Sequence, residues 1–292
     1  MLQTVLIFGL GYTGKHFAKA FLNQGSLVIG TKQKQLATTE KTTLPIVHAF
    51  NNQESLDPSL LEEAEVILST IPPAIDGTDP VLTKHAHDLK KLKHLRWIGY
   101  LSATSVYGDT KGVEAHESFP LNPGTALGKA RKVAENQWRQ LSEESGLPLH
   151  IFRLGGIYGP ERSIFDRLQS PDFQNYYDEK HLFHRIHVDD IVSILMKSIE
   201  NPSQGEIFNV VDDNPSPFHE TAEYAANLLG CTTPKRILLD EAQMSPMMRD
   251  FFSENRLISN QKIKKNLGIT LKYPSFREGL QSILNAKKSV LL

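Results

Sequence analysis

The chain has 292 residues, of which 40% are hydrophobic and 22% are charged, and its formal net charge at pH 7 is -1. This composition is typical of a globular protein with one large α/β domain or two closely joined ones. The charge balance provides no basic surplus, so we expect neither a nucleic-acid partner nor an anionic membrane partner.

The single cysteine, Cys231, cannot form a disulfide within the chain. No apolar run reaches the length of a membrane span, and the sequence begins with a short apolar strand in place of a basic segment and a longer apolar run. These features fit the reducing conditions of the cytosol, and we expect a cytoplasmic protein.

Apolar strands alternate with helical patterns through the first half of the chain. Strands are predicted over 4–8, 27–30, 46–49, 66–70, 95–102 and 149–154, and helices over 15–23, 57–63, 81–92 and 126–145. Continuously apolar strands separated by helices predict a parallel sheet that is covered on both faces. The fold class is therefore α/β, with a Rossmann-type doubly wound parallel sheet and a smaller C-terminal lobe on the substrate side.

The later part of the chain is less regular. Residues 160–186 show no clear period, whereas helices are predicted over 190–200, 217–230 and 275–287 and a strand over 207–211. We expect the Rossmann domain to comprise 1–162 and 187–213, and the substrate-side lobe to comprise 163–186 and 214–292.

A glycine loop follows the first predicted strand and opens the first predicted helix, in the pattern GxGxxG. In such a loop Gly9 allows the tight turn, Gly11 lets the backbone approach a pyrophosphate, and Gly14 permits close packing of helix on strand. The amides and positive end of the helix stabilise phosphates, so Tyr12 and Thr13 are also cofactor candidates.

The same loop fits the start of a GxxxxGK phosphate loop, but His16 stands where a magnesium-binding Ser or Thr belongs. We therefore expect dinucleotide binding and no ATP hydrolysis.

The second strand ends in Thr31 and Lys32, and no acidic residue follows before Glu40. An NAD site usually places Asp or Glu here to bind a ribose hydroxyl. A hydroxyl and a positive charge could instead bind a 2′-phosphate, so NADP is preferred over NAD. The alternative is that Lys32 is a solvated side chain of a polar loop.

Residues Thr70, Ile71 and Pro72 end the fourth predicted strand. Ligands of open parallel sheets bind at the carboxyl edge, so these residues are predicted to lie along the cofactor. The prolines could equally be plain loop stops.

Four stretches then occur in a characteristic order. They are Leu-Ser-Ala-Thr-Ser-Val-Tyr-Gly-Asp over 101–109, Phe-Arg-Leu-Gly-Gly-Ile-Tyr-Gly-Pro over 152–160, Arg-Ile-His-Val-Asp-Asp over 185–190 and Ile-Phe-Asn-Val over 207–210. This order resembles the extended short-chain dehydrogenase/reductases of the NAD-dependent epimerase/dehydratase type, over nearly the whole chain. The resemblance implies a doubly wound sheet, a nicotinamide cofactor and a small-molecule substrate that is often a nucleotide sugar.

The sequence departs from that family at its catalytic positions. Phe8 replaces the first glycine of the usual GxxGxxG, and Ala103 stands where the family has the Ser or Thr that polarises a carbonyl. Ser102 or Thr104 could substitute for that hydroxyl, although strand alternation places Thr104 on the wrong face unless the strand has already ended.

The family's Tyr-x-x-x-Lys motif is also missing, and two alignments remain open. One places Leu127 at the Tyr position and Arg131 at the Lys position, and it is favoured by the residues that follow. The other places Thr125 and Lys129 there. Arg131 could bind ribose or phosphate, or lie on a solvated helix face.

Two functions follow from these departures. The first is an atypical NADP(H)-dependent oxidoreductase or epimerase-like enzyme that works without the usual Tyr, on a nucleotide sugar or a small carbonyl or alcohol. The second is a non-catalytic dinucleotide-binding sensor or regulatory protein. The loss of general acid–base groups would remove about 10²–10⁴-fold of the usual rate.

Three further features complete the predictions. Arg162, after Gly159-Pro160, is either a substrate contact or an exposed loop arginine. The HxxHxxH of His181, His184 and His187 lies in a strand-like pattern whose side chains point apart, so no metal is expected. Monomer and homodimer remain equally open.

Overall fold

The computed structural model describes residues 3–34, 45–168 and 170–290. Glu40 lies outside the described residues. Two compact units are present. The first comprises Met1–Val106, Ala126–Arg153 and Val192–Phe208, and the second comprises Tyr107–Thr125, Leu154–Ile191 and Asn209–Leu292.

The strands and helices alternate as predicted in the first unit. The strands are β1 (Thr4–Phe8), β2 (Leu27–Lys32), β3 (Ile46–Ala49), β4 (Val66–Ser69), β5 (Trp97–Ala103), β6 (Glu114–Ala115), β7 (Leu149–Leu154), β8 (Gly156–Tyr158), β9 (Asn175–Tyr177), β10 (Arg185–His187), β11 (Glu206–Val210), β12 (Arg236–Leu238) and β13 (Leu257–Ile258). The helices are α1 (Tyr12–Leu22), α2 (Pro58–Glu62), α3 (Pro80–Leu89), α4 (Ala126–Ser145), α5 (Ile164–Leu168), α6 (Val188–Glu200), α7 (Phe218–Leu229), α8 (Pro246–Phe252), α9 (Gln261–Leu267) and α10 (Phe276–Val290), with a 3₁₀ turn at Thr104–Tyr107.

The main sheet has seven strands in the order β11-β7-β5-β4-β1-β2-β3. Strand β1 pairs in parallel with both β2 and β4, and β4 pairs in parallel with β5. The chain order reverses direction between β1 and β4, which is the switch point where doubly wound sheets bind ligands. This confirms the predicted fold class.

Local signals explain where the helices begin. The Asp57 and Asp79 side chains accept hydrogen bonds from backbone amides in the first turns of α2 and α3, and a proline follows each aspartate. Helix α1 begins at Tyr12, three residues earlier than predicted, because the second half of the glycine loop already has helical geometry.

One face of the sheet packs against α3 and α4. Phe8, Ile98 and Tyr100 lie in one buried cluster with Val81 of α3 and Trp138 of α4. Alternate residues of a strand point to opposite faces, so Ser102 lies on the same face of β5 as Ile98 and Tyr100. The polar side chains at the end of this face are therefore adjacent to α4.

The second unit contains three short parallel strand pairs, β8 with β10, β9 with β12 and β6 with β13. Phe276 and Leu280 of α10 pack against Ala225 of α7 in one apolar cluster. Neither these short strands nor α8 and α9 were predicted, because they are too short to show a period.

The compact units differ in their bounds from the predicted domains. Residues 107–125, 154–162, 187–191 and 209–213 belong to the second unit, although the predicted Rossmann domain contains them. Within the residues described, none of the helices combines the length and the apolar character needed to cross a membrane.

Candidate dinucleotide and substrate site

The glycine loop has the geometry that its sequence predicts. Gly9 has a φ of +91°, which favours glycine, and a Cβ at Gly14 would lie 2.5 Å from the carbonyl oxygen of Gly9. Gly11 differs from both, because a Cβ there would meet no protein atom within 4 Å. The protein itself therefore requires glycine at two of the three positions, and the space beside Gly11 is open.

Both backbone polar groups of Gly9 are held by threonine hydroxyls. The Gly9 amide donates to Thr31 Oγ1 at 3.0 Å, and Thr70 Oγ1 donates to the Gly9 carbonyl at 2.6 Å. Thr31 is fully buried. The structure therefore gives Thr31 a role in supporting the loop, in place of the 2′-phosphate contact that its position predicted, because its hydroxyl faces inward.

The remaining cofactor candidates lie around this loop. Lys32 is half-buried at the end of β2, Ile71 is half-buried and Pro72 is exposed. Tyr12 and Thr13 form the first turn of α1, which has no side-chain cap and no acidic residue there. A helix N-terminus of this kind suits a phosphate.

The end of β5 decides the position of the candidate hydroxyls. The strand ends at Ala103, and Thr104 begins a 3₁₀ turn, so the alternation argument against Thr104 does not apply. Ser102 is 3% exposed, and its hydroxyl has no hydrogen-bond partner within the described residues. Of the candidate hydroxyls, Ser102 is therefore the one that is buried and unbonded beside α4.

Helix α4 presents different groups at the two aligned positions. The Leu127 side chain is 60% exposed, where the family alignment expects a phenol. An N–H of the Arg131 guanidinium donates to the carbonyl oxygen of Leu101 at 2.7 Å, whereas Lys129 is exposed. Arg131, and not Lys129, is thus the cation that α4 directs at the end of β5.

No other phenol stands free at this place. The Tyr107 hydroxyl donates to Asn209 Oδ1 at 2.6 Å, and the Tyr158 hydroxyl donates to the carbonyl of Ser275 at 3.2 Å. Tyr100 is fully buried in the first unit. Burial raises the pKa of the Tyr100 phenol, and the nearby Arg131 lowers it by less. Its hydroxyl therefore remains protonated.

Sequence reasoning missed Asp79 as a member of this region. Its carboxylate accepts from the amides of Val81 and Leu82 and from Trp138 Nε1 at 2.9 Å. Burial raises its pKa, and the three hydrogen bonds and Arg131 lower it by less. The Asp-Pro pair before α3 was the available signal, because it marks a helix cap.

The other singled-out residues lie in the second unit. Arg162 is exposed in the tight turn that pairs it with Gly159, and Glu161 in that turn has a φ of +62°. His181 stacks on Phe183, while His184 Nε2 accepts from the amide of Ile258. In the part of the chain that the structure describes, no group of three His, Cys, Asp or Glu residues is placed to hold a metal ion.

Comparison with known proteins agrees with this geometry. The family model "NAD dependent epimerase/dehydratase family" matches residues 86–211. A functionally unknown conserved protein from Silicibacter pomeroyi is 35% identical, with a TM-score of 0.87, and the match covers 98% of this chain and 99% of that one. Protein YeeZ of Escherichia coli K12 is 26% identical over 291 residues, which covers 94% of this chain and 97% of YeeZ.

A more distant structure shares the fold. The UDP-glucuronic acid 4-epimerase of Bacillus cereus, in complex with UDP-glucuronic acid and NAD, is 17% identical with a TM-score of 0.78. That match covers 98% of this chain and 99% of the epimerase.

Proposed function

The chain belongs to the NAD dependent epimerase/dehydratase family, and from that premise we propose that it binds NADP(H), or less tightly NAD(H), at the glycine loop. We propose further that it is an atypical short-chain dehydrogenase/reductase, an oxidoreductase or epimerase-like enzyme that lacks the usual Tyr. Its substrate is a nucleotide sugar or a small carbonyl or alcohol. The UDP-glucuronic acid and NAD bound to the Bacillus cereus epimerase support that substrate class.

The observation that carries the proposal is the contrast among the three loop glycines. Gly9 and Gly14 are required by the protein's own packing, but Gly11 is exposed and a Cβ there would touch nothing. A glycine without an internal reason is explained by a ligand that approaches its backbone closely. The uncapped start of α1 next to it suits a pyrophosphate.

The preference for NADP rests on Lys32. It is half-buried at the end of β2, and no acidic residue stands beside it in 31–34 to hold a ribose hydroxyl. A single ammonium group suits the doubly charged 2′-phosphate of NADP.

The chemistry has to proceed without a phenol on α4. When bound, the nicotinamide supplies hydride acceptance or donation. Among the chain's own groups, the Ser102 hydroxyl is the best donor to a substrate oxygen, because it is buried and unbonded. Thr104 is a second hydroxyl in the following turn, and Arg131 can stabilise negative charge on that oxygen.

The second candidate is a non-catalytic dinucleotide sensor or regulatory protein. The observation in its favour is the exposed Leu127 together with Ala103, which leaves the family's proton donor and polarising hydroxyl both absent from their usual positions. In this case cofactor binding would change association with another macromolecule without turnover.

Other predictions remain proposals. Arg162 is offered as a substrate contact, because guanidinium groups suit phosphates and carboxylates. The single cysteine supports a cytoplasmic location. Monomer and homodimer are both compatible with the charged outer face of α4.

Fluorescence titration of the full chain with NADPH and, separately, NADH tests the cofactor. NADPH is expected to bind tightly, and Lys32→Ala should weaken it about tenfold without changing NADH. Lys34→Ala, an exposed neighbour, is the matched control. Gly11→Val should abolish binding and leave the unfolding free energy unchanged.

If the folded chain binds neither nucleotide, the proposal fails. A panel of sugar nucleotides and small carbonyls then separates the two candidates. Turnover that Gly11→Val abolishes supports the enzyme, whereas tight NADPH binding without turnover on any panel member favours the sensor.

A further inference from the structure

Arg131 carries a positive charge that the protein leaves without a counter-ion. Its guanidinium is half-buried and donates one N–H to the carbonyl of Leu101 at 2.7 Å. Within the described part of the chain, no carboxylate oxygen lies within 4.0 Å of it. A guanidinium has five N–H donors, so most of its hydrogen-bonding capacity is available.

The other arginine that meets α4 shows the usual solution. Arg153 of β7 is 2% exposed and donates to both carboxylate oxygens of Glu135 on α4, with the shortest contact at 2.7 Å. Buried charges in proteins are normally paired in this way. The absence of such a partner at Arg131 indicates that its anion comes from outside the protein.

Arg131 is nevertheless held firmly in place. The Tyr100 ring stacks on Trp138, with 5.5 Å between the ring centroids. Trp138 in turn donates its indole N–H to Asp79 at 2.9 Å. The Arg131 charge is close enough to lower the pKa of both Tyr100 and Asp79. This buried polar support is the kind that fixes a ligand-binding side chain.

Two buried hydroxyls accompany the guanidinium. Those of Tyr100, which is fully buried, and Ser102, which is 3% exposed, have no hydrogen-bond partner among the described residues. They lie two residues apart on one face of β5, on either side of the Leu101 carbonyl that Arg131 contacts. An unbonded buried hydroxyl is unfavourable, and it requires an explanation such as an absent ligand.

We infer that Arg131 and Ser102 bind an oxyanion of the substrate, a carboxylate or a phosphate, and that Tyr100, Trp138 and Asp79 are positioning residues for Arg131. A planar guanidinium matches both oxyanions with two parallel hydrogen bonds, which an ammonium cannot form. The inference rests on the proposed function, whose substrate it narrows to an acidic small molecule.

Calorimetric titration of the full chain with three sugars tests this inference. Glucuronate carries a carboxylate, glucose 6-phosphate carries a phosphate, and glucose is the uncharged match. At least one acidic sugar should bind ten or more times more tightly than glucose, and the tighter one identifies the anion. Arg131→Gln should abolish the preference, and Arg131→Lys should retain part of it.

Two further variants separate binding from folding. Lys129→Gln removes one positive charge from an exposed position on the same helix and should change nothing. Tyr100→Phe retains the ring and should weaken the acidic sugar three- to tenfold. If Arg131→Gln does not fold, the comparison of Arg131→Lys with the unaltered chain replaces it.

The inference is overturned if glucose binds as tightly as both acidic sugars, or if Lys129→Gln loses as much as the Arg131 variants. Loss of NADPH binding in Arg131→Gln would also overturn it, by making Arg131 a cofactor contact. Loss of NADPH binding by the unaltered chain, with the preference for an acidic sugar intact, would sink the proposed function alone.

Discussion

The loop after β1 and the region where α4 meets β5 differ in how fully the protein satisfies its own groups. At the loop, threonine hydroxyls bond both polar groups of Gly9, and packing accounts for Gly14. At α4, Arg131 lacks a counter-ion and the Ser102 hydroxyl is unbonded. The first region is a finished frame for a common cofactor, whereas the second is completed only by a ligand.

The largest effect is expected at the loop. Gly14→Val places side-chain atoms against the Gly9 carbonyl oxygen, which already lies 2.5 Å from a built Cβ. The unfolding free energy should fall by about 1–3 kcal/mol and dinucleotide affinity by about 100-fold or more. Chemical denaturation and NADPH titration measure the two. If Gly14→Val binds NADPH normally, the loop is not the cofactor site.

A buried carboxyl beside α4 should show the next effect. Asp79→Asn leaves the Trp138 N–H without its acceptor, at a cost of about 1–3 kcal/mol in the unfolding free energy at pH 7. Burial raises the pKa of Asp79 above 3.8 in the folded chain. The folded state therefore binds more protons, and stability falls as pH rises from 3.8 through the raised pKa.

Denaturation between pH 4 and 7 measures this component, which Asp79→Asn should remove. Asp76→Asn is the matched control, since hydrogen bonds from Thr78 lower the pKa of exposed Asp76. Its component has the opposite sign and is lost as pH falls through that lowered pKa. Parallel pH profiles for the two variants would contradict the assignment.

A smaller effect is expected from the threonines that hold Gly9. Thr31→Val removes the acceptor of the Gly9 amide and should cost about 1 kcal/mol of unfolding free energy, with weaker NADPH binding. Thr31→Ser retains the hydroxyl and should restore both properties. Equal losses in the two variants would show that the methyl group matters and the hydrogen bond does not.

The smallest effect is expected at the start of α4. Leu127 is 60% exposed, so Leu127→Tyr should change the unfolding free energy by no more than about 0.5 kcal/mol. This tolerance would contrast with Gly14 and would show that the lost phenol was not replaced by packing. Denaturation measures it, and a loss above 1 kcal/mol would mean that Leu127 has a structural partner.

Regular elements were predictable because their patterns are long. The bounds of β1, β3, β7 and α4 agree with the prediction, since buried strands and an amphipathic helix leave a clear period. The end of β5 was displaced by one residue, and this decided whether Thr104 continues the strand. Strand ends depend on where pairing stops, which the residue pattern does not record.

The sequence by itself determined the α/β class, the order of strands and helices, the glycine loop and the loss of the family's phenol, because each depends on neighbouring residues. Only the tertiary structure decided that Thr31 faces inward, that Arg131 and not Lys129 reaches β5, and that Asp79 and Tyr100 stand behind it. These contacts join residues from different strands and helices, and side-chain direction across such distances follows from packing.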